Sequence, residues 1–195
     1  MRNATLALCP LIIAACASSP PVRYFVLDPV PTTAEVPVMA GPPVQIVAVR
    51  LPATLDRRQM VREDSPNKLV ISNENRWGAP LPDMTRRVLS QDLLLRLAAG
   101  QTVLPEEPAP NGTNSVAVEI LQFGVAGGNI VLDGSWSMTH GGEDAASLRR
   151  SFHLSHPASN TDYAQDAHVM STLLASLADS MAQTLRSQPL QPHHQ

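Results

Sequence analysis

Between Leu81 and Ala98 the chain runs LPDMTRRVLSQDLLLRLA, a helical pattern that is apolar on two sides. Pro82-Asp83 opens it and Gly100 stops it, the usual punctuation of a helix start and end. Leu81, Met84, Val88, Leu95 and Ala98 recur at spacings of three, four and seven and make one stripe. Leu89, Leu93 and Leu97 make a second, which at about 100° per residue lies nearly opposite the first. A helix on the surface of a monomer needs only one apolar face. This one has two, and both must be covered. Either the helix is sandwiched inside its own domain, or the second stripe meets another subunit.

The segments around it predict strands and one more long helix. RYFVL (Arg23 to Leu27) forms a short strand closed by Asp28-Pro29, and a proline-rich loop follows through Pro43. VQIVAVR (Val44 to Arg50) is apolar enough for a strand buried on both faces. Gln59 to Arg62 and Lys68 to Ser72 predict a strand pair joined through Ser65-Pro66-Asn67. A second proline-rich loop spans Pro105 to Asn114, and strands follow at Val116 to Phe123, Ile130 to Met138 and Leu148 to Ser155. Ile130, Leu132, Trp136 and Met138 alternate onto one face, as do Leu148, Phe152 and Leu154. Gly127-Gly128-Asn129 predicts a tight hairpin, and HGGEDAA from His140 a looser one. The last helix starts near Asp162, with residues 159–161 offering N-caps. Tyr163, Ala167, Met170, Leu174, Leu177, Met181 and Leu185 form its apolar stripe, which predicts a helix lying on a sheet. The fold class expected is α/β, with a mixed α+β sheet and two long helices.

The first residues, MRNATLALCPLIIAACASSPP, decide where such a domain works. Ala4 to Ala15 is an apolar run too short to span a bilayer as a helix, which takes about 20 residues. Behind the basic Arg2 it has the proportions of a signal-peptide core. Ile13-Ala14-Ala15-Cys16 resembles the bacterial lipobox. That resemblance implies cleavage between Ala15 and Cys16, with Cys16 thioether-linked to diacylglycerol and acylated on its new amine. One acyl chain binds a membrane marginally and two or more hold firmly. By resemblance to Gram-negative sorting rules, Ala17 at the next position, in place of Asp, permits transfer to the outer membrane.

The expected division is then residues 1–15 as lipoprotein signal peptide, 16–21 as lipidated tether, 22–187 as one domain and 188–195 as a disordered tail. Loss of residues 1–15 removes Cys9 and Arg2, leaving a single cysteine committed to lipid and 13 basic against 17 acidic side chains. A net charge of −4 argues against nucleic acid as a partner.

Catalytic signals are nearly absent. Ser135 sits in DGSWS, which lacks the second glycine of a nucleophile elbow and falls inside a predicted strand. His153 and His156 are three apart on a strand and point to opposite faces. No cysteine or acidic cluster joins them as metal ligands. Glu106-Glu107 and Glu143-Asp144 stand in separate loops. No cofactor, metal or enzymatic activity is predicted.

One stretch is familiar. Val49 to Leu97, VRLPATLDRRQMVREDSPNKLVISNENRWGAPLPDMTRRVLSQDLLLRL, closely resembles the ABC-type transport auxiliary lipoprotein family, the paraquat-inducible protein C (PqiC)-like lipoproteins. The motifs stand in order: Tyr24 to Leu27, LPxxLDRxQMV at Leu51 to Val61, Asn67 to Leu69, and RWxxPL at Arg76 to Leu81 running into a helix. The DYA at Asp162 before the last helix also matches. The resemblance implies an anticodon-binding-domain-like fold and a non-enzymatic lipoprotein on the periplasmic face of the outer membrane of a Gram-negative bacterium. It would serve an MCE-domain (mammalian cell entry) periplasmic tube and its inner-membrane permease in moving phospholipid or other hydrophobic cargo, and would assemble as a homo-oligomeric ring.

Candidate contacts with such partners are Arg57, Arg58 and Met60, the Arg76-Trp77 pair, and the Leu89, Leu93 and Leu97 stripe; arginine and tryptophan are enriched in interfaces. The competing view is structural, with Trp77 plugging the sheet edge and Arg57 paired to Asp56 or Asp64. Two other functions share the anchor: a lipid-binding carrier with an acyl-chain cavity, and an envelope-structural or assembly lipoprotein.

Overall fold

The computed structural model describes residues 20–33, 36, 41–140, 148–159 and 162–187. In chain order its elements are β1 (Arg23–Phe25), β2 (Val44–Arg50), β3 (Gln59–Ser65), β4 (Lys68–Trp77), α1 (Leu81–Leu94), β5 (Thr102–Val103), β6 (Asn114–Ala126), β7 (Asn129–Thr139), β8 (Leu148–Pro157) and α2 (Tyr163–Ser187). All eight strands join one mixed sheet, with both helices against one face. The signal segment with Cys16, the 141–147 part of the His140 loop and the 188–195 tail lie outside the described residues.

β6 is the pivot. One of its edges carries β7 antiparallel, and β8 follows β7 antiparallel in turn. Its other edge is shared: β2 runs parallel to residues 114–119, and β3 meets it farther along at Arg62 and Val125. β5 extends β2, while β4 and then β1 extend β3. The alternation expected of β7 is what the sheet uses: Ile130, Leu132, Trp136 and Met138 are all buried, opposite Val125, Phe123, Val118 and Val116 of β6 in turn.

Register shifts interrupt the β2–β6, β6–β7 and β3–β4 ladders. Leu121 is an extra residue in β6 and Val47 one in β2, and both project outward. β2 is accordingly buried only at its first three residues, not along its length as its apolar sequence predicts. β5 was not anticipated. Its two residues are too short to carry a periodic signal, and they pair with β2 only through tertiary placement.

The turns follow their residues. Gly127 and Gly128 both have positive φ, 56° and 77°, as a two-residue hairpin turn between Ala126 and Asn129 requires. Between Ser65 and Lys68, Pro66 is followed by Asn67 at φ 66°, the combination a type II turn favours.

The two-sided helix is sandwiched within its own chain. α1 packs on β2 and β5 and alongside α2. Leu89, Leu93 and Leu97 are 0–1 % exposed, so the expectation that this stripe meets another subunit is corrected: the core of the same chain already covers it. The other stripe is buried at Leu81, Met84, Val88 and Ala98, but Leu95 is exposed. The helix itself ends at Leu94, and the chain turns through Leu97 and Ala98 to Gly100, which shifts Leu95 off the predicted face. α2 buries its whole predicted stripe, Tyr163 only partly. Its first turn is capped by Asp162, whose Oδ1 accepts the N–H of Ala164 (2.9 Å) and of Gln165 (3.3 Å).

Candidate interaction surface

The groups weighed for chemistry stay apart. Ser135 lies opposite Glu119 and Ser151 on the sheet face away from the helices. His153 Nδ1 is 3.7 Å from Asp133 Oδ1, and His156 Nδ1 faces the Pro157 carbonyl. Glu106 pairs with Arg86 across 3.7 Å, and Glu107 accepts the Leu104 N–H. Among the described residues, no three His, Cys, Asp or Glu side chains converge as a metal would require. No helix among them is long and apolar enough to cross a membrane.

The candidate contact residues divide by burial. Met60 and Trp77 are each 3 % exposed and belong to the core beside Leu81, so they are corrected from surface contacts to packing residues. Strand alternation explains this. Phe25 and Trp77 stand side by side facing the helices, while their neighbours Tyr24 and Arg76 face away. Gln59 pairs with Arg76, so Tyr24, Arg76 and Gln59 form one row across β1, β4 and β3.

Arg57 and Arg58 precede Gln59 and are exposed, and the Arg58 carbonyl accepts the Trp77 N–H at 2.7 Å. Arg57, Arg58 and Arg76 form no ion pair among the described residues; Asp64, a predicted partner of Arg57, binds Lys68 instead at 2.6 Å. That bond holds Lys68 above the usual lysine range, the hydrogen bond to Asp64 being the larger cause. Three arginines thus gather at one end of β3 and β4, beside the exposed Val22, Tyr24 and Val26 of the β1 edge.

Two buried ion pairs tie these elements down, and neither was read from the sequence. Arg62 of β3 reaches Asp166 of α2 (Nη2 to Oδ2, 2.6 Å), with 13 % and 2 % of their side chains exposed. The Arg62 guanidinium also lies 4.0 Å from the centre of the Tyr163 ring. Burial pushes the Asp166 carboxyl up, and Arg62 opposes that shift. The pair lines a recess with Leu55, Met60, Phe123 and Met170 whose free volume is about 10 Å³, room for one water.

The second pair anchors the start of the domain. Arg96 Nε donates to Asp179 Oδ1 (2.6 Å), and its Nη1 lies 3.4 Å from Asp92 Oδ1. The Val30 N–H donates to Asp92 Oδ1 (2.9 Å), and the Val30 carbonyl accepts from Arg96 Nη1 (3.2 Å). The Asp28 N–H donates to Ser171 Oγ (3.1 Å). The segment after β1 is therefore gripped by both helices. Burial raises Asp92 to about 6, against the pull of the Val30 N–H and Arg96. A sequence signal for this site existed: Asp92 and Arg96 are charged residues one helical turn apart within a leucine-rich run.

Residues 25–182 match the family described as ABC-type transport auxiliary lipoprotein component. The chain is 26 % identical over 142 residues to the intermembrane transport lipoprotein PqiC of Escherichia coli K12, covering 72 % of this chain and 73 % of that one. It is equally similar to PqiC of Shigella flexneri. Two crystal structures share the fold. One is of an uncharacterized protein (TM-score 0.69, 22 % identity, covering 85 % of this chain and 99 % of the other). The other is of a Xanthomonas campestris protein (TM-score 0.65, 15 % identity, covering 85 % and 95 %).

Proposed function

Because the chain belongs to the ABC-type transport auxiliary lipoprotein family, we propose that it is the lipid-anchored, non-enzymatic component of an MCE-type system carrying phospholipid or other hydrophobic cargo between membranes. The observation that carries this reading is the family match across residues 25–182, joined by relatives whose name is intermembrane transport lipoprotein. Cys16 is the acylated residue in this proposal, cleavage falls between Ala15 and Cys16, and Ala17 directs the protein to the periplasmic face of the outer membrane. Partners are an MCE-domain tube, its inner-membrane permease and further copies of this chain in a ring. Of the residues the sequence offered for contacts, Arg57 and Arg58 are exposed, Arg76 is half-buried and the others are buried.

The carrier alternative finds less support. A domain that held an acyl chain would need a long apolar cavity between helices and sheet. That space is filled by Val88, Leu93, Val118, Leu132 and Leu174, and the recess beside Arg62 admits about one water.

The test is to tag the full-length protein in its own cells, crosslink, and identify what co-purifies by mass spectrometry. Recovery of an MCE-domain protein with its permease is the expected result. Recovery of peptidoglycan or lipopolysaccharide machinery alone would replace the transport reading with an envelope-structural one.

A further inference from the structure

Six peptide steps separate Cys16 from Val22, and they span at most about 22 Å even when fully extended. A domain of this size has a radius of gyration of about 15 Å. A tether shorter than the domain is wide keeps the residues where it joins the fold close to whatever holds Cys16. The opposite face cannot come as near without the body turning over on its own leash. The joining point is also firmly placed. β1 pairs with β4 and the next residues are held by Asp92, Arg96 and Ser171, so the tether does not lengthen by peeling β1 away.

The surface at that joining point has an unusual makeup for a chain of net negative charge. Tyr24 of the edge strand β1 is 59 % exposed, and Val22 and Val26, which flank the strand, are 39 % and 50 % exposed. The charged residue of that edge, Arg23, is matched by Glu74 of β4 at 3.8 Å. Tyrosine pairs an apolar ring with a hydroxyl and favours membrane–water boundaries. The half-buried Arg76 stands beside Tyr24 on β4, and the exposed Arg57 and Arg58 lead into β3, one strand farther on; none of the three has a carboxylate partner among the described residues. Clustered arginines near an anionic leaflet are each attracted to it, and an apolar edge beside them enters the headgroup boundary.

We infer that this corner is a membrane-apposed surface: Val22, Tyr24 and Val26 enter the headgroup boundary of the bilayer that holds the anchor, and Arg57, Arg58 and Arg76 meet anionic phospholipid headgroups. The inference rests on the lipid-anchored reading above. It adds an orientation, with the arginine row and β1 edge toward the bilayer and the exposed side of α2 away from it.

The mature acylated chain has no other free thiol, so one introduced cysteine can carry one spin label. Full-length protein with Tyr24→Cys, Val26→Cys or, as a control on the exposed side of α2, Gln183→Cys is reconstituted into vesicles of phosphatidylethanolamine and phosphatidylglycerol. Flotation is scored first, and then relaxation by oxygen against a water-soluble nickel chelate. The expected result is flotation of all three, with oxygen dominating at positions 24 and 26 and nickel at 183. Replacing phosphatidylglycerol by phosphatidylcholine, or introducing Arg57→Gln with Arg58→Gln, should shift position 24 toward the water-exposed ratio. Flotation with positions 24 and 26 as wet as 183 overturns the orientation and leaves the anchor standing. Loss of flotation overturns both. Immersion that ignores lipid charge and both arginines removes the headgroup contact. A label wet in vesicles but shielded in intact cells assigns the corner to a protein instead.

Discussion

At the residue scale, single atoms decide what this fold tolerates. Gly134 sits in β7 opposite the Leu121 bulge, where an added Cβ would lie 2.2 Å from the Glu119 carbonyl oxygen and 2.9 Å from the Phe152 ring. The backbone itself must move to admit it. Gly134→Ala is expected to cost about 2–3 kcal/mol, read as a lower urea midpoint at unchanged m-value. Asp92 carries a pH signature. Its carboxyl is raised in the folded chain to about 6, above its ordinary value of 3.8, so the folded state holds the proton more tightly. Its contribution is fully present below pH 4 and is lost as pH rises through 6. The stability of wild type relative to Asp92→Asn should therefore fall between pH 4 and pH 7, measured by paired denaturant titrations. A difference that stays flat across that window would remove the buried charge as its cause.

At the element scale, α1 shows how an amphipathic pattern becomes a packing role. Leu93→Ala removes a side chain with no exposure and should cost about 3 kcal/mol, whereas Leu94→Ala, 44 % exposed, should cost under about 1 kcal/mol. Because Leu93 packs inside its own chain, the loss should not vary with protein concentration; a concentration-dependent loss would return that stripe to a subunit interface. Asp162→Ala should cost about 1 kcal/mol through the first turn of α2. The existence of both helices, β2, the β3–β4 hairpin and the β6–β8 meander was legible, from periods of 3.6 and 2 in the helices and in β7 and β8, from an apolar run in β2 and from turn residues between β3 and β4. What covers the Leu89, Leu93 and Leu97 stripe was not legible. A helix pattern specifies that a face is buried and is silent on which chain buries it. Likewise Arg57, Met60, Arg76 and Trp77 read alike as contact candidates, and only strand alternation sent Met60 and Trp77 inward.

At the scale of the whole molecule, distant segments are joined by charges that leave little trace in local sequence. Arg62 and Asp166 stand 104 positions apart and connect the hairpin to α2. Arg62→Met alone leaves a buried carboxylate without its cation and is expected to cost about 3–5 kcal/mol, while adding Asp166→Leu should recover most of it. Thermal and denaturant unfolding of the two single variants and the double variant checks the cycle. Arg96 does the same for the segment after β1, holding Val30 between α1 and α2. The sequence by itself determined every element but β5, the turns at Gly127-Gly128 and Pro66-Asn67, and the family, because these depend on neighbours within a few residues or on ordered motifs. Only the tertiary structure decided the shared edge of β6, the pairing of β5, the ion pairs and which arginines reach the surface. Each of these depends on which residues far apart in the chain come together, and hydrophobic periodicity carries no address for that.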